Sequence, residues 1–299
     1  MIHCPFPGSG RFWRGNLHTH SNRSDGALSP EETARIYQDA GYDFLAITDH
    51  FRPQYNFPLT DTRPLRTKNF TTLLGAELHG PRTAFSSEWH ILALGLPLDF
   101  TPPGANETGP ETARRARAAG AFIGMAHPAA SILTLEDAET LDSAHAVEVY
   151  NALAAREERA DSWHLTDVLL NRGHQLSAYA ADDAHFTPGD PPGCAAWVQV
   201  WAETLNPEEL LAALKMGRYY SSTGPQLHRI ETSDGTISIE CSPASKIVVT
   251  GGAPGVQVRE GTDLTSATFP TSRFENTFCR VTIEDASGHR AWSNPIRFS

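Results

Sequence analysis

Short apolar runs alternate with helix-like segments over the first two thirds of the 299-residue chain. That alternation constrains the fold more than any other feature. "GNLHTH" reads as a strand, and "SPEETARIYQDAGY" as a helix. Ser29 suits its N-cap, Pro30 its first position, Glu32 a capping box and Gly41 its stop. "YDFLAITDH", "TTLLGAELHG" and "HILALGL" follow as strand-length runs. Then "ETARRARAAG" is helical, "AFIGMAHP" a strand, "TLEDAETLDS" helical and "AHAVEVYN" a strand. "REERADSWHLTDVLLNRG" reads as one long helix, "HQLSAYAADDAH" as a strand and "NPEELLAALKMGR" as a last helix. Strands interleaved with helices predict an α/β fold: a parallel sheet with crossover helices, as an open sheet or a closed barrel.

After Gly224 the texture changes. "TISIE" and "CRVTIED" alternate apolar and polar residues, and Gly, Pro, Ser and Asp separate the runs. This is the pattern of half-buried antiparallel strands. Residues 1–224 and 225–299 are therefore expected as two domains, the second a small all-β sandwich.

Almost every strand of the first part finishes on a metal-capable residue. The first gives His18, His20 and, just beyond, Asp25; the next gives Asp49 and His50; then come Glu77, His127, and Asp183 with His185. Residues i and i+2 of a strand face the same way, so His18 and His20 can grip one ion. Alone, that pair also fits two solvated loop histidines. In a parallel barrel the C-terminal strand ends converge on one face. His90 is the exception, because it precedes its apolar run. It reaches that face only if its strand runs reversed or if it sits on an incoming loop.

Asp25, Glu77 and Asp183 would repel one another in an empty pocket. Imidazoles mixed with carboxylates suit Zn, Mn or Fe better than Ca or Mg. This many donors suits two or three divalent ions. Such a centre is positive inside a chain of formal net charge −11, which fits a phosphate ester. A metal-bound water that ionises near neutral pH would attack the phosphoryl group.

The run "HTH…SDG", "ITDH", "GAELHG", "HILALGL", "AHP" and "DDAH" resembles the PHP (polymerase and histidinol phosphatase) family. The resemblance covers roughly residues 14 to 224. It implies a distorted seven-stranded (β/α)7 barrel with up to three metals. By position, one ion would take His18, His20, Glu77 and Asp183. A second would take Glu77, His90 and His127, with Glu77 bridging, and a third Asp25, His50 and His185. Glu77, Asp183 and His185 are the candidate catalytic residues. In that family the histidine corresponding to His90 also falls just before its apolar run. The C-terminal part, from "GRYYSSTGP" to "AWSNPIRF", is similar to a β-domain appended to some bacterial members.

Other residues near these motifs have more than one reading. Asp49 and Asp182 either orient a histidine or cap a turn. His79 shares the face of Glu77 if the strand continues, but corresponds to no ligand position of the family. Arg23 and Arg52 stand on loops beside candidate ligands and are placed to bind a substrate phosphate. Asn151 and Tyr150 end a strand and are candidates to line the pocket. His3, His145, His164, His174, His228 and His289 read as surface or satisfied core histidines.

The acidic balance and the lack of a basic stripe argue against nucleic acid beyond short oligonucleotides. Cys4, Cys194, Cys241 and Cys279 are scattered and read as free thiols, although Cys241 and Cys279 could pair. No secretory signal is visible and no run reaches the ~18 apolar residues of a membrane span, so a soluble cytoplasmic protein is expected. The leading expectation is a metal-dependent phosphoesterase acting on a small phosphorylated molecule. The alternatives are a nuclease acting on nucleotide ends, a hydrolase of carbamates or other non-phosphate esters, and a non-catalytic binding module. The oligomeric state is not legible.

Overall fold

The computed structural model describes residues 4–85, 88–252 and 255–298; His3 lies outside them. The chain is a mixed α/β protein built on one extended sheet. Its elements run β1 (Arg11–Asn16), α1 (Pro30–Asp39), β2 (Phe44–Ile47), β3 (His50–Phe51), β4 (Thr71–Gly80), β5 (Trp89–Leu94), α2 (Gly109–Ala118), β6 (Phe122–Met125), α3 (Leu135–Thr140) and β7 (Ala146–Asn151). They continue as α4 (Trp163–Asn171), β8 (Ser177–Ala181), β9 (Trp197–Ala202), α5 (Pro207–Lys215) and β10 (Tyr219–Ser222). The rest is β11 (Leu227–Ser233), β12 (Thr236–Gly251), β13 (Val256–Pro270), β14 (Phe278–Glu284), β15 (Arg290–Ser293) and β16 (Ile296–Arg297). No described helix is long and apolar enough to cross a membrane.

The helix starts follow the chemistry of their sequences. Ser29, Thr108 and Thr134 each form a complete capping box, with Glu32, Glu111 and Asp137 reaching back. The long helix expected over 156–173 is shorter. It is a 3-10 turn at Leu153–Glu157, then a break, then α4. The break has two causes: Glu158 adopts φ 58, and the Asp161 carboxylate accepts from the Trp163 N–H, an Asx turn just ahead of the helix.

The sheet is not all parallel. β1, β2 and β4 pair in parallel, as do β6, β7 and β8. β5 runs antiparallel to both its neighbours, β4 and β6. Only residues 81–88 join β4 to β5, too few for a crossover. The reversal places His90, at the start of β5, beside the end of β4, with His79 directly opposite. β9, whose "WVQVWA" alternates half-buried and buried residues, is a further strand, antiparallel to β1 and β10.

The sheet end at β8 comes back against the chain just after β1, in the middle of the strand order. The Asp183 N–H donates to the His18 carbonyl at 3.0 Å and the His20 N–H to the Ala184 carbonyl at 2.9 Å. Buried Asn16 ties the seam, donating to the His18 carbonyl and accepting from the Asp182 N–H. β1 stops at Asn16, but Thr19 still bridges Ala184 in parallel, so the backbone carrying His18 and His20 remains strand-like.

Strands β11–β16 are all antiparallel and join the rest through β15 on β10. Their apolar core of Ile230, Ile239, Ile247, Val281 and Ile283 also takes Phe6 and Tyr220 from before residue 224. Arg280 adds a two-pronged contact to Asp167 of α4, at 2.9 and 2.8 Å, and lies over the Trp163 ring at 3.9 Å. All four cysteines are free.

Candidate metal centre

The seam and the strand ends bring His18, His20, Asp25, His50, Glu77, His90, His127, Asp183 and His185 into one cluster, buried except for half-buried His90 and His185 and exposed Asp25. Glu77 lies at its centre, fully buried on β4. Its Oε1 is 2.7 Å from His90 Nδ1, 3.3 Å from His127 Nε2 and 3.7 Å from His18 Nε2. Its Oε2 is 2.5 Å from His50 Nδ1 and 3.7 Å from His20 Nε2. Asp183 Oδ1 lies 3.2 Å from His18 Nε2 and 3.1 Å from His20 Nε2. Asp25 faces His50 at 3.2 Å and His185 at 3.3 Å.

Among the described residues, four sets of donor atoms lie within 4.8 Å of one another: His20, Asp25, His50 and His185; His18, His20 and Glu77; His50, Glu77, His79 and His90; and His18, His127 and Glu148. His18 Nε2, both ring nitrogens of His20 and Glu77 Oε2 are buried and make no hydrogen bond. Leaving buried polar atoms unpaired costs on the order of 1–3 kcal/mol each. Divalent cations would satisfy all of them at once, so the residues present fit metal.

The electrostatics agree. Burial should push the Glu77 carboxyl up, yet His90 and His50 hold it well below the usual carboxylate range. Asp183 is held down in the same way by His18, His20 and His127. Burial pushes His20 down to about 4, leaving it a neutral donor. His50 goes the other way: Glu77 and Asp25 outweigh burial and lift it to about 10. Two of the nine also carry backbone strain, His127 at φ 27 and Asp183 at φ 54. Non-glycine residues in this region cost on the order of 1–3 kcal/mol and cluster at functional sites.

Two further residues enter the cluster: Glu148, which no motif marks, and His79, which shares the face of Glu77 because β4 continues to Gly80. Glu148, inside the apolar run of β7, sets Oε1 3.1 Å from His18 Nδ1 and accepts the His127 N–H on Oε2 at 2.6 Å. An acid flanked by valines in a buried strand was the available signal. His79 sets Nε2 2.9 Å from His50 Nδ1.

The remaining candidates separate clearly. Asp49 orients no histidine. It accepts from the Ser21 N–H, Ser21 Oγ, Ser24 Oγ and Thr60 Oγ1, fixing the loop that carries Asp25. Asp182 binds Tyr37 Oη and the N–H groups of Cys194, Ala195 and Ala196, a structural clasp. Arg52 reaches the cluster, with Nη2 3.1 Å from His79 Nδ1 and 3.4 Å from His90 Nε2. Arg23 is exposed and lies along a separate groove with Pro58 and Pro64. Asn151 is buried and donates to Asp183 Oδ2 at 3.1 Å and Glu148 Oε2 at 3.3 Å, which makes it a support for the centre. Tyr150 turns away and stacks on Trp292. His145 accepts the Ile123 N–H on Nδ1, a satisfied core histidine.

Neither a family profile nor a curated protein matches the chain. Solved structures do. A two-domain protein containing a predicted PHP-like metal-dependent phosphoesterase, from Bacteroides vulgatus ATCC 8482, superposes with a TM-score of 0.55 at 14% identity, over 95% of this chain and 94% of that one. A candidate metal-dependent phosphoesterase from Bifidobacterium adolescentis ATCC 15703 gives 0.42 at 14% identity, over 60% and 91%. An amidohydrolase from Chromobacterium violaceum, with bound sulfate and no metal, gives 0.41 at 16% identity, over 58% and 88%. Coverage of both chains nearly end to end includes the strands after residue 224 as well as the sheet that carries the cluster. The chain has the fold of the two-domain PHP-like proteins.

Proposed function

We propose that this protein is a metal-dependent phosphoesterase that hydrolyses a phosphate ester of a small phosphorylated molecule. The observation that carries the reading is the strained convergence on buried Glu77, with Nε2 of His18 and both ring nitrogens of His20 buried and making no hydrogen bond. We read the curled sheet as a distorted seven-stranded barrel, with 225–299 as an appended β-domain.

In this reading His18, His20, Glu77 and Asp183 hold one ion, Glu77, His90 and His127 a second, and Asp25, His50 and His185 a third. The mixture of imidazole and carboxylate suits Zn, Mn or Fe. Bound divalent ions supply an activated water and charge to neutralise the phosphoryl oxygens. Glu77 belongs to two of these sets and would link them, while Asp183 belongs to the first. His185, with Nδ1 2.9 Å from the Asp183 carbonyl, presents Nε2 beside Asp25. Glu148 holds the His18 ring, and Arg52 offers a fixed cation at the edge of the centre. The net charge of −11 supports a small substrate rather than long nucleic acid. The four free thiols support a cytoplasmic setting.

Turnover of p-nitrophenyl phosphate against bis-p-nitrophenyl phosphate, with and without Mn²⁺, tests this. Metal-dependent release from either ester supports the reading and assigns mono- or diesterase. Full metal loading with hydrolysis only of carboxylic esters or carbamates would overturn it.

A further inference from the structure

Beside the centre lies a second cavity, of about 350 Å³, with Arg52, His79 and Glu88 on its polar side. The proposed chemistry does not use it. Its other walls are largely apolar and include Phe51, Phe57, Pro81 and Pro103. Phe51 and Phe57 meet edge to face at 5.3 Å. The cavity adjoins the candidate ligands, because His79 touches His50 and Arg52 touches His90.

The position of Arg52 needs an explanation. Its guanidinium is a permanent cation next to a cluster suited to bind cations. Such a charge is favourable there only if an anion lies alongside. Glu88 supplies one now, with Oε2 3.1 Å from Arg52 Nη2. Yet the Glu88 side chain is 55% exposed, so it is free to leave. A phosphoryl group held at the centre would be a stronger partner for the guanidinium fork.

We infer that this cavity receives the alcohol portion of the phosphate ester, and that this portion is compact and largely apolar. Arg52 binds the phosphoryl oxygens when Glu88 lets go, so Glu88 is an internal competitor of the substrate. The inference rests on the phosphoesterase reading above and specifies the substrate class of that site.

Calorimetric binding to the metal-loaded protein tests it with three probes: inorganic phosphate, phenylphosphonate and the polar 3,4-dihydroxybutylphosphonate. Phenylphosphonate is expected to bind about tenfold or more tightly than the polar analogue, the scale set by apolar pocket contacts. Phe57→Ser should shrink that ratio. Because Phe57 also packs against the core, Pro81→Asp at an exposed position is the second variant and should shrink it too. Glu88→Gln should tighten all three probes about threefold, the scale of a half-exposed ion pair. If phosphate fails to bind at all, the phosphoesterase reading falls. If phosphate binds but the two phosphonates bind equally, or Glu88→Gln leaves every probe unchanged or weaker, the inference is overturned while that reading stands.

Discussion

The Glu148 carboxylate lies 3.1 Å from Nδ1 of His18, while Nε2 of the same ring faces Asp183 and Glu77. A carboxylate on the far nitrogen fixes the ring and its tautomer, leaving the near nitrogen free to coordinate. The same carboxylate accepts the His127 N–H, so one buried acid sets two candidate ligands. Glu148→Gln should keep the shape but lower metal affinity about 10- to 100-fold. Competition with a chromogenic chelator measures it; unchanged affinity would remove Glu148 from the account.

Glu77→Gln should lose metal and activity together. The side chain keeps its size, but a neutral amide cannot serve the several imidazoles that surround both its oxygens. Near-wild-type turnover with full metal content would show that Glu77 does not tie the centre together.

Arg280 and Asp167 predict a separable effect. The pair is bidentate, little exposed, and links α4 to β14 without touching a candidate ligand. Arg280→Ala should destabilise the fold by on the order of 1–3 kcal/mol, the scale of hydrogen bonds to charged groups, while metal content per chain stays constant. Denaturant unfolding and elemental analysis on the same samples check both halves.

His145 predicts an acid limb of stability. Burial, with Arg117 and Lys215 nearby, pushes its imidazole down to about 4. In the unfolded chain it titrates near ~6.5. Between those values the unfolded state binds the extra proton. The contribution of His145 is therefore complete above the unfolded value and is lost as pH falls through the folded one. His145→Asn should flatten the fall in melting temperature between pH 7 and pH 4. An identical slope in both proteins would assign the acid limb to other groups.

The candidate site was legible to the extent that its residues sit at strand ends. Nine side chains from six motifs meet, all but His90 because parallel strands deliver their C-terminal ends to one edge, and the spacing of those motifs is written in the chain. Strand direction is not. His90 stood before its run with two explanations open, and only the antiparallel pairing of β5 decides between them. Glu148 was missed because an acid within "AVEVY" looks like a strand interior until His18 is seen across the sheet. The long helix over 156–173 is broken because local events, the left-handed Glu158 and the Asp161 turn, outweigh helical composition. After residue 224 the alternating pattern sufficed to read strands. What it did not carry was the sharing of Phe6 and Tyr220 with that core.

A multinuclear metal site around Glu77 underlies the proposed function. Elemental analysis of protein expressed with supplemented Zn, Mn and Fe tests it most directly. The account predicts about two to three divalent ions per chain, falling together in Glu77→Gln. Less than about one ion per chain in the wild type, or a full complement retained in that variant, would contradict it.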